Sequence, residues 1–127
     1  IIEIPDSVKN IGYWAFDGCS SLESINLPNL VEEICFCTFD GCSSLKSIKL
    51  PYSLRKIGDF AFSDCSSLRI IEIPNSVMKI GKNAFENCVS LKNINIPYSL
   101  KMIGRGAFKG CNYLKSLKIP DSVEWID

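Results

Sequence analysis

Apolar residues along this chain return at a fixed interval of 23, far longer than the period of a helix or of a single strand. Pro5, Pro28, Pro51, Pro74, Pro97 and Pro120 keep that step without exception. So do Ile11, Ile34, Ile57, Ile80, Ile103 and Ile126. Phe16, Phe39, Phe62, Phe85 and Phe108 form a third ladder, and Leu22, Leu45, Leu68, Leu91 and Leu114 a fourth. Cys19, Cys42, Cys65, Cys88 and Cys111 form a fifth. One unit reads P-x-S-V-x-x-I-G-x-x-A-F-x-x-C-x-S-L-x-x-I-x-I/L, and five such units plus partial ends fill residues 1–127 without insertion. A unit this short cannot bury its own apolar residues, but stacked units can. In-register coils place each residue over its counterpart one repeat away, at roughly 4.8 Å where the backbone is extended. The pattern therefore predicts a single elongated solenoid, mostly β, with no domain boundary.

Within the unit, Leu22 to Leu27 reads most clearly as a strand, because Ile25 and Leu27 alternate with Ser24 and Asn26. Its equivalents are Ile2–Ile4, Lys46–Leu50, Arg69–Ile73, Lys92–Ile96 and Lys115–Ile119, expected to form one parallel sheet. The Pro after each has no N–H to give the ladder and ends the strand. A second extended stretch, such as Ser53 to Ile57, is expected to close at Gly58 in a left-handed turn. Ala61 to Cys65 then reads as one tight 3₁₀ or helical turn.

The strand pattern L-x-x-I-x-L resembles the leucine-rich repeat, and the rest of the unit, L-P-x-S-V/L-x-x-I-G-x-x-A-F-x-x-C, resembles its BspA-like, Treponema-type subclass over essentially the whole chain. The resemblance implies a right-handed α/β-type coil with its parallel sheet on a concave face and short turns on the other side. It also implies a surface-exposed adhesion and protein-binding module, at the cell surface or secreted. Unpaired buried thiols are equally compatible with a reducing cytoplasm. Where many leucine-rich repeats stack an Asn, this chain has Ser7, Ser53, Ser76, Ser99 and Ser122, with Leu30 in the second unit, which should be the least well tied.

Composition narrows the chemistry. Fourteen Lys+Arg balance fourteen Asp+Glu, so no net field calls for nucleic acid or an anionic membrane. No apolar run reaches the ~20 residues of a membrane helix. The chain carries no starting Met or leader, which reads as a mature piece or a fragment of a longer array. His is absent, which removes the commonest general base and metal ligand. The abundant serines therefore have no base beside them, and no catalytic, cofactor-binding or metal-binding residue is assigned.

Five of the seven cysteines recur at one inward position, so their side chains run parallel rather than converge, which disfavours disulfides. They read as a ladder of small buried residues. Cys35 and Cys37 break the pattern. Cys35 replaces the Gly of Gly12, Gly58, Gly81 and Gly104, and Cys37 sits where Trp14, Phe60, Asn83 and Gly106 sit. Drift in one imperfect unit is the favoured account. A redox role is the alternative, and it requires a fast-reacting Cys37.

Outward positions of the predicted sheet carry six positive charges (Lys46, Lys49, Arg69, Lys92, Lys115, Lys118) and three negative (Glu3, Glu23, Glu72). Tyr52 and Tyr98 stand just past their prolines, at a rim held elsewhere by Asp6, Asn29, Asn75 and Asp121. Exposed Tyr beside Lys and Arg is the composition protein interfaces favour. Lys49, Tyr52, Arg69, Ile70, Glu72 and Tyr98 are therefore the candidate binding residues for a protein ligand, such as a host extracellular protein. Trp14, Phe36 and Phe60 lie on the opposite turn, either packed on adjacent turns or forming a second apolar patch. The leading reading is a non-enzymatic binding scaffold. The alternative is a structural spacer or assembly rod that stacks end to end with further repeats.

Overall fold

The computed structural model describes residues 2–127, so Ile1, expected to begin the first strand, lies outside the described residues. Ten short strands follow one another: β1 (Ile2–Glu3), β2 (Ile25–Asn26), β3 (Glu33–Ile34), β4 (Ser47–Ile48), β5 (Lys56–Ile57), β6 (Ile70–Glu72), β7 (Lys79–Ile80), β8 (Asn93–Asn95), β9 (Met102–Ile103) and β10 (Trp125–Ile126). All pairings are parallel, and every register partner lies one repeat away, as in Ile48 with Ile71 and Ile71 with Ile94. The chain is a β-solenoid whose coils stack in register.

The expected single sheet is instead two lines of strands. The strands that precede each Pro form a pair, β1-β2, and a triplet, β4-β6-β8, joined only by the bridge between Asn26 and Lys49. The second extended stretch makes the longer sheet, in the order β3-β5-β7-β9-β10. The first line is short because its ladder is capped from the side. Asn95 Oδ1 accepts the Ile73 N–H at 2.9 Å, and Asn95 Nδ2 donates to the Ile73 carbonyl at 3.0 Å. Those are the groups that would have carried the ladder further. Residues 115–119, expected as a strand, are irregular.

The remaining side of each coil is a hydrogen-bonded turn, not a 3₁₀ helix. Its N–H groups alternate between two kinds of partner. Ala15, Asp17 and Cys19 donate three residues back within the turn. Trp14, Phe16 and Gly18 donate to Phe36, Thr38 and Asp40 of the next coil. That alternation needs left-handed backbone at two positions per turn. They are the column of Trp14, Cys37, Phe60, Asn83 and Gly106 and the column of Gly18, Gly41, Asp64, Asn87 and Gly110, all with φ between 52° and 74°. Gly58 is not left-handed, contrary to expectation. A Cβ there would sit 2.8 Å from the Ile34 carbonyl oxygen, so Gly58 is required by close approach to the preceding coil.

The ladders fill the interior as their spacing predicts. Val31, Leu54, Val77 and Leu100 are fully buried, as are Ile34, Ile57 and Ile80. The Phe rings stack nearly parallel along the axis, with centroids 5.3 to 5.6 Å apart. Each cysteine from Cys42 to Cys111 donates its S–H to the Phe carbonyl of the preceding coil, at 3.1 to 3.2 Å. The ladder is thus hydrogen-bonded as well as packed, a role the apolar reading missed. Thr38 replaces the ladder Ala, is fully buried, and donates to the Cys35 carbonyl at 3.0 Å.

Candidate functional site

The turn prolines and the strands before them set where the candidate residues point. Strand alternation turns Ile71 inward and leaves Ile70 and Glu72 outward on β6. Arg69 precedes β6 and Lys49 follows β4, and both are exposed. Chain reversal at Pro51 and Pro97 throws Tyr52 and Tyr98 away from the core. They are 83% and 78% exposed, more than any other large apolar or aromatic side chain. The two rings sit on coils two rungs apart, roughly 10 Å at the strand spacing.

Lys49, Tyr52, Ile70 and Glu72 line one shallow, open groove across β4, β6 and β8, together with Asn93 and Asn95. Its floor is apolar, from Ile48, Ile71 and Ile94. Arg69 and Tyr98 lie outside its walls. Four of the six candidate residues are therefore brought together, and two flank the groove. Asn93 and Asn95 were missed. Their signal was present, since Asn95 follows Lys49 and Glu72 in one outward column and Asn93 follows Ile70 in the other.

The basic character of this face is narrower than the column count suggests. Lys46 is paired with Glu23 one rung away at 2.9 Å, and the ammonium's hydrogen bond holds the Glu23 carboxyl below its usual range. The Lys92 ammonium lies 6.0 Å from the centre of the Tyr113 ring. Among the described residues, no carboxylate stands within ion-pair distance of Lys49 or Arg69. The groove thus offers one unneutralised cation, Lys49, with Arg69 beside it, one acid, an exposed Ile and a projecting Tyr. Such a surface can hold an extended segment of another protein through apolar contact and side-chain hydrogen bonds.

The Ser ladder is satisfied on alternate coils. Ser53 Oγ donates to the Val31 carbonyl at 2.6 Å and Ser99 Oγ to the Val77 carbonyl at 2.7 Å. Ser76 Oγ and Ser122 Oγ are buried without a partner. Leu30 has no hydroxyl to donate, and its side chain is half exposed.

Cys35 is half-buried, and Cys37 is buried. Burial pushes the Cys37 thiol up to about 11, with Asp40 and Asp17 adding to the shift. Burial also raises the Cys35 thiol, with Glu33 adding to it. Fast reaction of Cys37 would need a thiolate at neutral pH, and its surroundings oppose one. Among the described residues no three His, Cys, Asp or Glu side chains converge as a metal set would require. No helix of the described residues is long and apolar enough to cross a membrane.

Comparison with known proteins agrees with the coil geometry. The family model for the BspA type leucine rich repeat region matches residues 1–81 in six copies. A leucine-rich repeat protein of Bacteroides ovatus is 45% identical with a TM-score of 0.92, over 98% of this chain and 32% of its own. The Treponema pallidum leucine-rich repeat protein is 39% identical with a TM-score of 0.85, over 89% of this chain and 55% of its own. A leucine-rich cell surface protein from Faecalibacterium prausnitzii is 27% identical with a TM-score of 0.63, over 96% of this chain and 42% of its own. The chain thus spans about a third of the first of these proteins and just over half of the second. No curated protein matches it significantly.

Proposed function

Because this chain belongs to the BspA-type leucine-rich repeat family, whose fold is generally a protein-interaction scaffold, we propose that it is a non-enzymatic surface module that binds a protein partner across β4, β6 and β8. The observation that carries this reading is Tyr52. A ring 83% exposed at the lip of an apolar-floored groove, beside Lys49 and Ile70, is costly to leave in water and rewarding to cover. Tyr98 and Arg69 extend the same face along the coil axis. Unneutralised Lys49 and Arg69 favour a partner with carboxylates at its rim. A place at the cell surface is supported by the likeness to the Faecalibacterium prausnitzii leucine-rich cell surface protein. The partner class is a host extracellular protein, met as an adhesion contact.

The test pairs capture from extracellular-matrix proteins and from cell lysate with the variant Tyr52→Ala/Tyr98→Ala. Loss of two exposed rings should weaken the captured ligand about tenfold or more, the effect of removing one or two interface hot spots. The melting temperature should not move, because neither ring is in the core. A ligand held equally by both proteins refutes the site. Partners drawn only from lysate refute the extracellular assignment.

A further inference from the structure

The turn side of the first three coils carries a second surface that the groove does not use. Tyr13, Trp14, Phe36 and Phe60 run edge to face along it, with successive centroids 6.1, 5.2 and 5.9 Å apart. Tyr13 and Trp14 are 64% and 54% exposed. Phe36 and Phe60 are half-buried between the turns, whereas Tyr13 and Trp14 stand largely in water. Trp14 and Phe60 occupy left-handed backbone, φ 55° and 56°, which bulky L-residues disfavour. The next two coils meet the same demand with Asn83 and Gly106, residue types suited to it. Cys37, at φ 54°, holds the same backbone without a ring, so the column is met by more than one residue type and the rings at Trp14 and Phe60 are a choice of this chain.

Carboxylates border the rings. Asp17 and Asp40 stand on the same turns as the rings, the Asp17 N–H donating to the Trp14 carbonyl at 3.1 Å and the Asp40 N–H to the Cys37 carbonyl at 3.3 Å. Among the described residues, neither carboxylate belongs to an ion pair. Lys56, the cation acting on nearby Cys35, is held by Glu33 at 2.7 Å. From the third coil on, the column of Tyr13 and Phe36 continues as Asp59, Lys82 and Arg105, and after Phe60 the next column continues as Asn83 and Gly106, so the aromatic strip ends at Phe60.

We infer that Tyr13, Trp14, Phe36 and Phe60, with Asp17 and Asp40, form a docking strip for a short arginine- or lysine-rich segment of a partner protein. Exposed π-faces attract a guanidinium or ammonium, and unpaired carboxylates supply the complementary charge. From the first rung to the third is roughly 10 Å, the length of about three extended residues. Such a strip is far smaller than the roughly 800 Å² per partner of a standard protein pair, which favours a short segment over a second copy of this chain. This inference stands apart from the groove and survives its failure.

The test is fluorescence anisotropy of labelled penta-arginine against the whole chain, with penta-glutamate as control. Trp14→Asn and Phe60→Asn are the informative variants, because Asn already serves this column at Asn83 and relieves the left-handed strain. Each should weaken penta-arginine at least tenfold while leaving the melting temperature equal or higher. Asp17→Asn/Asp40→Asn should weaken it similarly and flatten its salt dependence. Asp121→Asn/Glu124→Gln, which removes acids elsewhere, should leave binding unchanged. The inference fails if penta-arginine does not bind, if Trp14→Asn binds it as well as the parent, or if the Asp121/Glu124 variant loses as much. It also fails if sedimentation shows copies of the chain associating in a way that Trp14→Asn abolishes, since a second copy would then be the occupant.

Discussion

Alkali should unfold this protein through its cysteine ladder. Cys42, Cys65 and Cys88 are fully buried, Cys111 is nearly so, and each donates its S–H to a Phe carbonyl one coil back. Burial raises all four thiols: Cys111 to about 11, Cys42 to about 12, and Cys65 and Cys88 further, with neighbouring thiols adding to the last two. A thiol in an unfolded chain ionises near ~8.5. Between that pH and the folded values, the folded chain binds more protons than the unfolded one. Stability is therefore intact below ~8.5 and falls as the pH rises above it. One unit above, at pH 9.5, each thiol removes about 1.4 kcal/mol, so four together remove about 6 kcal/mol. That is a large share of the roughly 5–15 kcal/mol that holds a domain folded. Urea unfolding followed by circular dichroism, in reducing buffer at pH 7 and pH 9.5, reads the loss as a lower midpoint. Cys65→Ala is less stable at pH 7 but should lose about a quarter less on going to pH 9.5. A midpoint that ignores pH, or a Cys65→Ala slope equal to the parent's, would refute the buried ladder.

Two paired substitutions test the coil contacts directly. Ser53→Ala removes a 2.6 Å bond to the Val31 carbonyl and should cost about 1 kcal/mol in urea titration. Ser76→Ala removes a buried hydroxyl that has no partner and should leave stability unchanged or raised; equal losses in both would show that the Ser ladder is uniform. Gly58→Ala places a Cβ 2.8 Å from the Ile34 carbonyl oxygen and 3.0 Å from the Cys35 carbonyl carbon, backbone atoms that cannot yield cheaply. It should cost about 1–3 kcal/mol, seen as a lower melting temperature. Gly12→Ala meets nothing within 4 Å and should melt like the parent.

The period alone carried the coil, its register and its core. A 23-residue translation repeats every packing environment, so each ladder residue states its own burial five times over. Backbone hydrogen bonding is less visible in such a pattern. Cysteine reads as a small apolar filler until the Phe carbonyl 26 residues earlier is seen within reach of its thiol. The left-handed positions were misplaced for a related reason. Gly marks two different needs, positive φ at Gly18 and close approach at Gly58, and the sequence does not label which. The groove was half legible. Alternation along a strand gave Lys49, Ile70 and Glu72, and the Pro gave Tyr52. The capping of Ile73 by Asn95 depends on a side-chain rotamer across two coils, which no periodicity encodes.

What the repeat does not dictate is concentrated in one turn. Cys35 and Thr38 depart from the Gly and Ala of the unit and flank its two variable positions, Phe36 and Cys37, yet the coil contacts around them hold. Cys37 N–H donates to the Asp59 carbonyl at 3.1 Å and Phe39 N–H to the Ala61 carbonyl at 2.9 Å, as their counterparts do elsewhere. The backbone ladder uses main-chain groups only, so side chains at this turn can change without loss of register. Trp14, Phe36 and Phe60 meet there, on the same turns where Asp17, Asp40 and Asp64 go unpaired. In a solenoid the fold fixes the inward ladders identically in every coil. Differences between coils are then free to carry recognition, and in this chain they gather at the Tyr52 groove and at the aromatic strip of the first three turns.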